Sequence, residues 1–337
     1  MTYNEAIKGG FGLVNRNWQL VLIQLSMVFI SSIGFFIVVG IPLAIAFIIF
    51  GVDLTEMTDL RDIVSILKEP SDILAKYFGL FLIILACFLL YLILIALLGI
   101  YVFGGSIGVL GKSLRDSSLK FHVRTFFEEA KRLFLRLLTF TSFIGIIFVV
   151  IAFVLGILGG GIAALVSFAQ TQDSTLALFF GTFFSLILII IAAILILGIL
   201  SITIYGIAAL SFKETGPLKS IQEAWQFLIR HPNAFWLYTI LFAGYLLASF
   251  FLVLFSYPFT LIPIIGTILS FPYQLISYAF ETYLGLIIIA AMLNFYYSTE
   301  IYPEPPEPVM GESVPQPPEG EVSKGQDAEG TEAAENP

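Results

Sequence analysis

Among residues whose type is suited to chemistry, Glu281 stands apart because it lies inside an apolar run. A carboxylate within a bilayer is costly and is by default a functional group. If its helix begins near Phe271, Glu281 lies about ten residues deep, with no Lys or Arg in any span to neutralise it. It would then be protonated or face a watery cavity, and could carry protons. If the helix begins near Tyr278, Glu281 falls in the first turn, where the helix dipole favours an anion and water is near. That second placement suits a span of about 20 residues ending at Tyr297.

Residues 106–113 run Ser-Ile-Gly-Val-Leu-Gly-Lys-Ser and invite comparison with a phosphate-binding loop. The motif needs Gly where Ser106 stands, and a strand before it. Here the segment closes an apolar helical run, and the spacing of Gly104 and Gly108 suits close helix contact instead. Gly40-Ile41-Pro42 and Gly159-Gly160-Gly161 are either breaks around a transporter-type site or kinks and helix ends. Hydrolytic chemistry needs a nucleophile with a base, or a metal with its ligands. The single Cys87 lies in an apolar run, and His122 and His231 are far apart near charged segments. No catalytic, cofactor or metal set emerges, and the expectation is a non-enzymatic protein without a cofactor.

These residues are positioned by unusually apolar elements. Of 337 residues, 58% are hydrophobic and 12% are charged. Roughly 25% charge is normal for a chain whose surface faces water. Charge-free stretches run over residues 17–52, 77–111, 137–172, 174–212 and 232–280, and another follows Glu281. About 20 apolar residues suffice to cross the hydrocarbon, where only internal hydrogen bonding satisfies the backbone. The alternating segments of a β-barrel are absent from the sequence. The pattern predicts an all-α, polytopic helical membrane protein with about six transmembrane helices, near residues 18–50, 78–110, 138–168, 176–210, 234–256 and 275–297. An irregular apolar connection containing Pro258 and Pro263 is expected before the sixth. The first run is too long for a cleaved signal, despite the small residues Ala44 and Ala46.

The net charge of −8 is local to one end: ten of the 24 acidic residues and one of the 16 basic ones follow Tyr297. The near-neutral body argues against nucleic acid as a partner. Residues 301–337 read as a disordered, Pro- and Glu-rich cytoplasmic tail. Its Pro-x-x-Pro spacings, such as Pro303 to Pro306, suit a protein partner's groove. Thirteen Lys and Arg fall on the side holding both termini and three on the other. The positive-inside rule then puts both ends in the cytoplasm, with the chain in the cytoplasmic membrane.

A repeat underlies the spans. Segments ending in Arg16, Arg136 and Arg230 precede the first, third and fifth, and each carries a small residue six places earlier: Gly10, Ala130 and Ala224. Each unit reads as an amphipathic helix lying on the cytoplasmic interface with its apolar face in lipid, followed by a hairpin of two spans. Arg16, Trp18, Arg136 and Arg230 are the interfacial anchors. Leu54, Met57, Leu60, Ile63 and Leu67 add an amphipathic helix on the outer face.

With Phe11 to Trp18, Phe134 to Leu137 and Glu223 to Arg230 each entering a span, residues 1–300 resemble a broad group of prokaryotic multi-pass membrane proteins of unknown function. That group is similar to the membrane domain preceding some glycerophosphodiester phosphodiesterases. The resemblance implies a membrane-embedded accessory or lipid-associated role and carries over no catalytic residue. The expectation is therefore a lipid- or partner-associated membrane protein; the alternative is a small transporter or channel using the helix breaks and Glu281.

Overall fold

The computed structural model describes residues 1–56, 70–116, 118–260 and 263–302. Every regular element among them is helical. Helix α1 (Tyr3–Arg16) is followed by α2 (Gln19–Phe35), a π-helical turn (Phe36–Gly40) and α3 (Ile41–Glu56). The long helices α4 (Pro70–Arg115), α5 (Val123–Gln170) and α6 (Ser174–Phe212) come next. Then follow α7 (Pro217–Arg230), α8 (Pro232–Thr260) and α9 (Pro263–Tyr296), the last closing in a π-helical turn, Tyr297–Ile301. Six stretches are long and apolar enough to cross a bilayer: Gln19–Ile49, Tyr77–Arg115, Val123–Gln170, Ser174–Phe212, Pro232–Pro258 and Ile268–Ile301. The chain is an all-α, multi-pass membrane protein.

Two boundaries differ from the sequence expectation, and proline is the reason. The sixth helix begins at Pro263, not near residue 275, and α8 continues past residue 256 to Thr260. Only residues 261 and 262, outside the described set, separate the two. A proline at the first helical position gives up an amide that had no partner anyway. Pro258 and Pro272 lie within helices, as apolar spans tolerate where neighbouring helices, hydroxyl side chains or small local adjustments satisfy the freed carbonyl. Gly40-Ile41-Pro42 is no helix end either. Pro42 crowds the carbonyl one turn back, and the chain widens there so that the Ile41 amide donates to Phe36 O. At Gly159-Gly160-Gly161, α5 is unbroken. Residues 57–69, most of the expected outer helix, and the tail from 303 lie outside the described residues.

The repeat is visible as one buried stripe, drawn three times. Counting from Arg16, Arg136 and Arg230, the residues ten, six and three places before and four places after are buried in every unit. They are Ala6, Gly10, Leu13 and Leu20; then Phe126, Ala130, Leu133 and Phe140; then Ser220, Ala224, Phe227 and Ala234. Steps of three, four and seven keep these on one helix face. The small residue sits where backbones meet. A Cβ on Gly10 would fall 2.8 Å from Ala291 N and 2.9 Å from Ile287 O of α9. Facing Ala130, a Cβ on Gly104 would meet Leu137 at 3.0 Å. The apolar faces therefore pack on protein, not lipid. In the middle unit the chain does not turn on entering the membrane: α5 runs unbroken from amphipathic segment into span.

Each amphipathic segment lies along the last turns of an even-numbered span: the α5 start on α4, α7 on α6, and α1 on α9. The first two pairs are consecutive in sequence. The third joins the two ends of the described chain and closes the set. Tyr205 binds the joints together: fully buried, it donates to Ala234 O at 3.0 Å and lies 3.1 Å from Met292 Sδ. The core occupies this end of the molecule. Beyond it the hairpins barely touch, and at most 28% of any span's most apolar stretch is buried. Large side chains such as Phe153, Val149 and Val253 are more than 60% exposed. Only a hydrocarbon solvent makes such a surface stable.

Candidate functional site

Three polar rungs join the segment from Asn17 through α2 to α4. Asn17 and Ser113 pair through their side chains at 3.2 Å, Gln24 Nε2 donates to Ser106 Oγ at 3.3 Å, and Ser31 and Tyr91 share hydroxyls at 2.8 Å. Seven residues separate successive rungs on the first strand of this hairpin, about two helical turns or 10 Å. The first rung marks the basic level: Asn17 is fully buried and Arg16 donates to Ser113 O. Glu281 sits at the second.

There a groove of about 290 Å³ opens between hairpins, with Gln24 of α2, Phe103 of α4 and Tyr245 of α8 facing Tyr278, Glu281 and Thr282 of α9. A second recess of about 280 Å³ continues from Tyr278 and Glu281 past Ser277, Gln274 and Ser256. Eighteen positions separate Glu281 from the start of α9 at Pro263, so it does not lie in a first turn, and the helix dipole gives it no help. No ion pair or hydrogen bond reaches its carboxylate among the described residues. The Ser277 hydroxyl below it is likewise buried without a partner.

A different polar layer ties the joints. Glu129, 3% exposed, is held between Lys112 at 2.7 Å and Arg132 at 2.6 Å, and Arg132 reaches on to Glu214 at 2.7 Å. Glu300 of the terminal turn lies 3.2 Å from Lys213 and 3.6 Å from Arg230. Burial alone would lower the Lys213 ammonium's pKa, but the nearby Tyr296, Glu300 and Glu223 outweigh it and hold the group above its ordinary range. Arg115 donates to Phe212 O at 2.8 Å. These charges are spent on one another and on helix ends.

This layer accounts for the phosphate-loop likeness. Residues 106–113 lie inside α4; Lys112 pairs with Glu129, and a Cβ on Gly108 would fall 2.4 Å from Glu129 Cβ. The glycines let the carboxylate approach. Of the expected anchors, Trp18 is 53% exposed, Arg16 and Arg230 make the contacts above, and Arg136 is half-buried with Nη1 shielded. The helix breaks and Glu281 do not converge: the π-turn at Phe36–Gly40 follows Phe35, which packs on Tyr91 one rung further along. His122 contacts Lys120 O and His231 packs on Phe227. No metal-ligating group of three His, Cys, Asp or Glu occurs among the described residues.

Sequence reasoning missed Glu129 and the groove partners Gln24, Tyr245 and Tyr278. One signal was available for Glu129: the position seven before each Arg holds Gly9, Glu129 and Glu223, directly beside the small residue of the stripe. No family model, curated protein or solved structure matches this chain.

Proposed function

We propose that the chain is a non-enzymatic, lipid-associated protein of the cytoplasmic membrane, with both ends on the cytoplasmic side. One observation carries the reading: the core is confined to the amphipathic end, and the helices leave apolar recesses open to the lipid-facing surface, one under α7 and one within the first hairpin. One of about 450 Å³ is walled by Phe143, Ile147, Ile202, Ile221 and Trp225. Another of about 270 Å³ lies among Leu43, Phe47, Leu80 and Phe81. Apolar walls of this kind suit acyl chains, and the joint beside the larger recess supplies Lys and Arg at headgroup level. The basic asymmetry supports the orientation. A lipid-associated role is also what the resemblance to accessory membrane domains implies. The cytoplasmic tail is proposed as a further contact for protein partners.

Native mass spectrometry after extraction in a mild detergent tests this. Retained phospholipid is expected on the native chain. Ile202→Trp, which fills the larger recess, should lower the number retained with no change in helicity. A chain that sheds all lipid while staying monodisperse would contradict the reading. The second reading, a small transporter or channel, is favoured by the groove at Glu281. It is weakened by the separation of that groove from the helix breaks.

A further inference from the structure

We infer that the groove around Glu281 is a binding site for an alkylammonium amphiphile, a single positive head carried on an apolar chain. Charge sets the sign of the ligand. Helix α9 holds no Lys or Arg, and the basic level at Arg16 lies about two helical turns away. A half-buried carboxylate in such surroundings calls for a cation.

The neighbours set its kind. Phe103, Tyr245 and Tyr278 line the same groove as the carboxylate, and aromatic side chains beside an anion are the company that organic ammonium groups favour. Gln24 commits its amide nitrogen to Ser106, which leaves its oxygen to accept, and Thr282 adds a hydroxyl. A bare metal ion asks for more oxygens than one carboxylate and its neighbours offer. A Cβ on Gly285 would meet nothing within 4 Å, so the floor of the groove is open.

The chain-like tail follows from the walls. Leu286 and Ile289 line one end, Leu252 and Val253 the other, and lipid-facing surface surrounds both. A zwitterionic phospholipid fits poorly, because its phosphate would lie near Glu281 with no cation to receive it. This inference goes beyond lipid association in the apolar recesses. Its failure leaves the lipid-retention result standing, and the reverse also holds.

The test is saturable binding of radiolabelled dodecylammonium to the full chain in phosphatidylcholine nanodiscs. One site per chain is expected. Glu281→Gln should weaken binding by about tenfold or more, and Tyr278→Leu by several-fold. Gln222→Ala, in the distant α5–α7 recess, should bind as the native chain does. Dodecanol, dodecanoate and ethylammonium should each fail to compete at matched concentration. Binding by a monodisperse, helical Glu281→Gln within about twofold of native would overturn the site. Equal competition by dodecanol would overturn the cationic assignment, and equal competition by ethylammonium the need for an apolar chain.

Discussion

Two carboxylates on this chain meet opposite fates, and their surroundings decide which. Glu129 is nearly inaccessible yet has two cations within 2.7 Å, so its charge is neutralised where it stands. Glu281 is more open yet has no such partner among the described residues. Substituting Gln for Glu129 would leave Lys112 and Arg132 without their shared anion. Both cations are more than a third exposed and regain water, so the loss falls below the 3–5 kcal/mol typical of a fully buried pair. A destabilisation of about 1–3 kcal/mol is expected, read as a lower midpoint in denaturant titration of the detergent-solubilised protein. An unchanged midpoint would mean that the pairing contributes nothing. The repeat marks the position of Glu129 but not its partners, because Lys112 and Glu129 meet only when α4 and α5 are laid side by side. Gln24 lines the Glu281 groove from another hairpin, and Tyr245 from the other arm of the same one.

Elements were more legible than sites. The six spans follow from charge-free runs, since a chain without charges for 30 residues has few conformations open to it except helix in oil. The small residues Gly10, Ala130 and Ala224 marked the repeat, and the structure puts all three in the same stripe. What the pattern could not say is what the apolar face touches. An amphipathic helix on lipid and one on protein share a periodicity; the burial of the stripe distinguishes them, as does the α9 backbone lying so near Gly10 that an added Cβ would fall 2.8 Å from Ala291 N. The start of α9 differs from the expected one because Pro258 and Pro263 read as an irregular connection, although Pro263 heads the helix and Pro258 lies within α8. The docking of α1 gives a clean comparison. Gly10→Ala should cost about 1–3 kcal/mol by forcing α1 off α9. Gly12→Ala, whose Cβ meets nothing within 4 Å, should gain up to about 1 kcal/mol from helix propensity. Equal effects of the two in thermal unfolding would show that the joint is not close-packed.

At the scale of the molecule, cohesion and membrane contact are divided between two ends. Tyr205, Phe227 and Tyr296 pack ring to ring within 6.4 Å at the amphipathic end, where the joints converge. The spans beyond rely on lipid to satisfy surfaces that no other helix covers. The claim rests on where the exposed spans point. Spin labels at Val149, Phe153, Ile189 and Val253, placed singly in a Cys87→Ser chain in bilayers, report it by collision with oxygen and with a water-soluble nickel chelate. All four sites should collide readily with oxygen and scarcely with nickel, whereas a label at Lys131 should show the reverse. Nickel access at the four span sites, or access by neither reagent, would contradict a lipid-facing body.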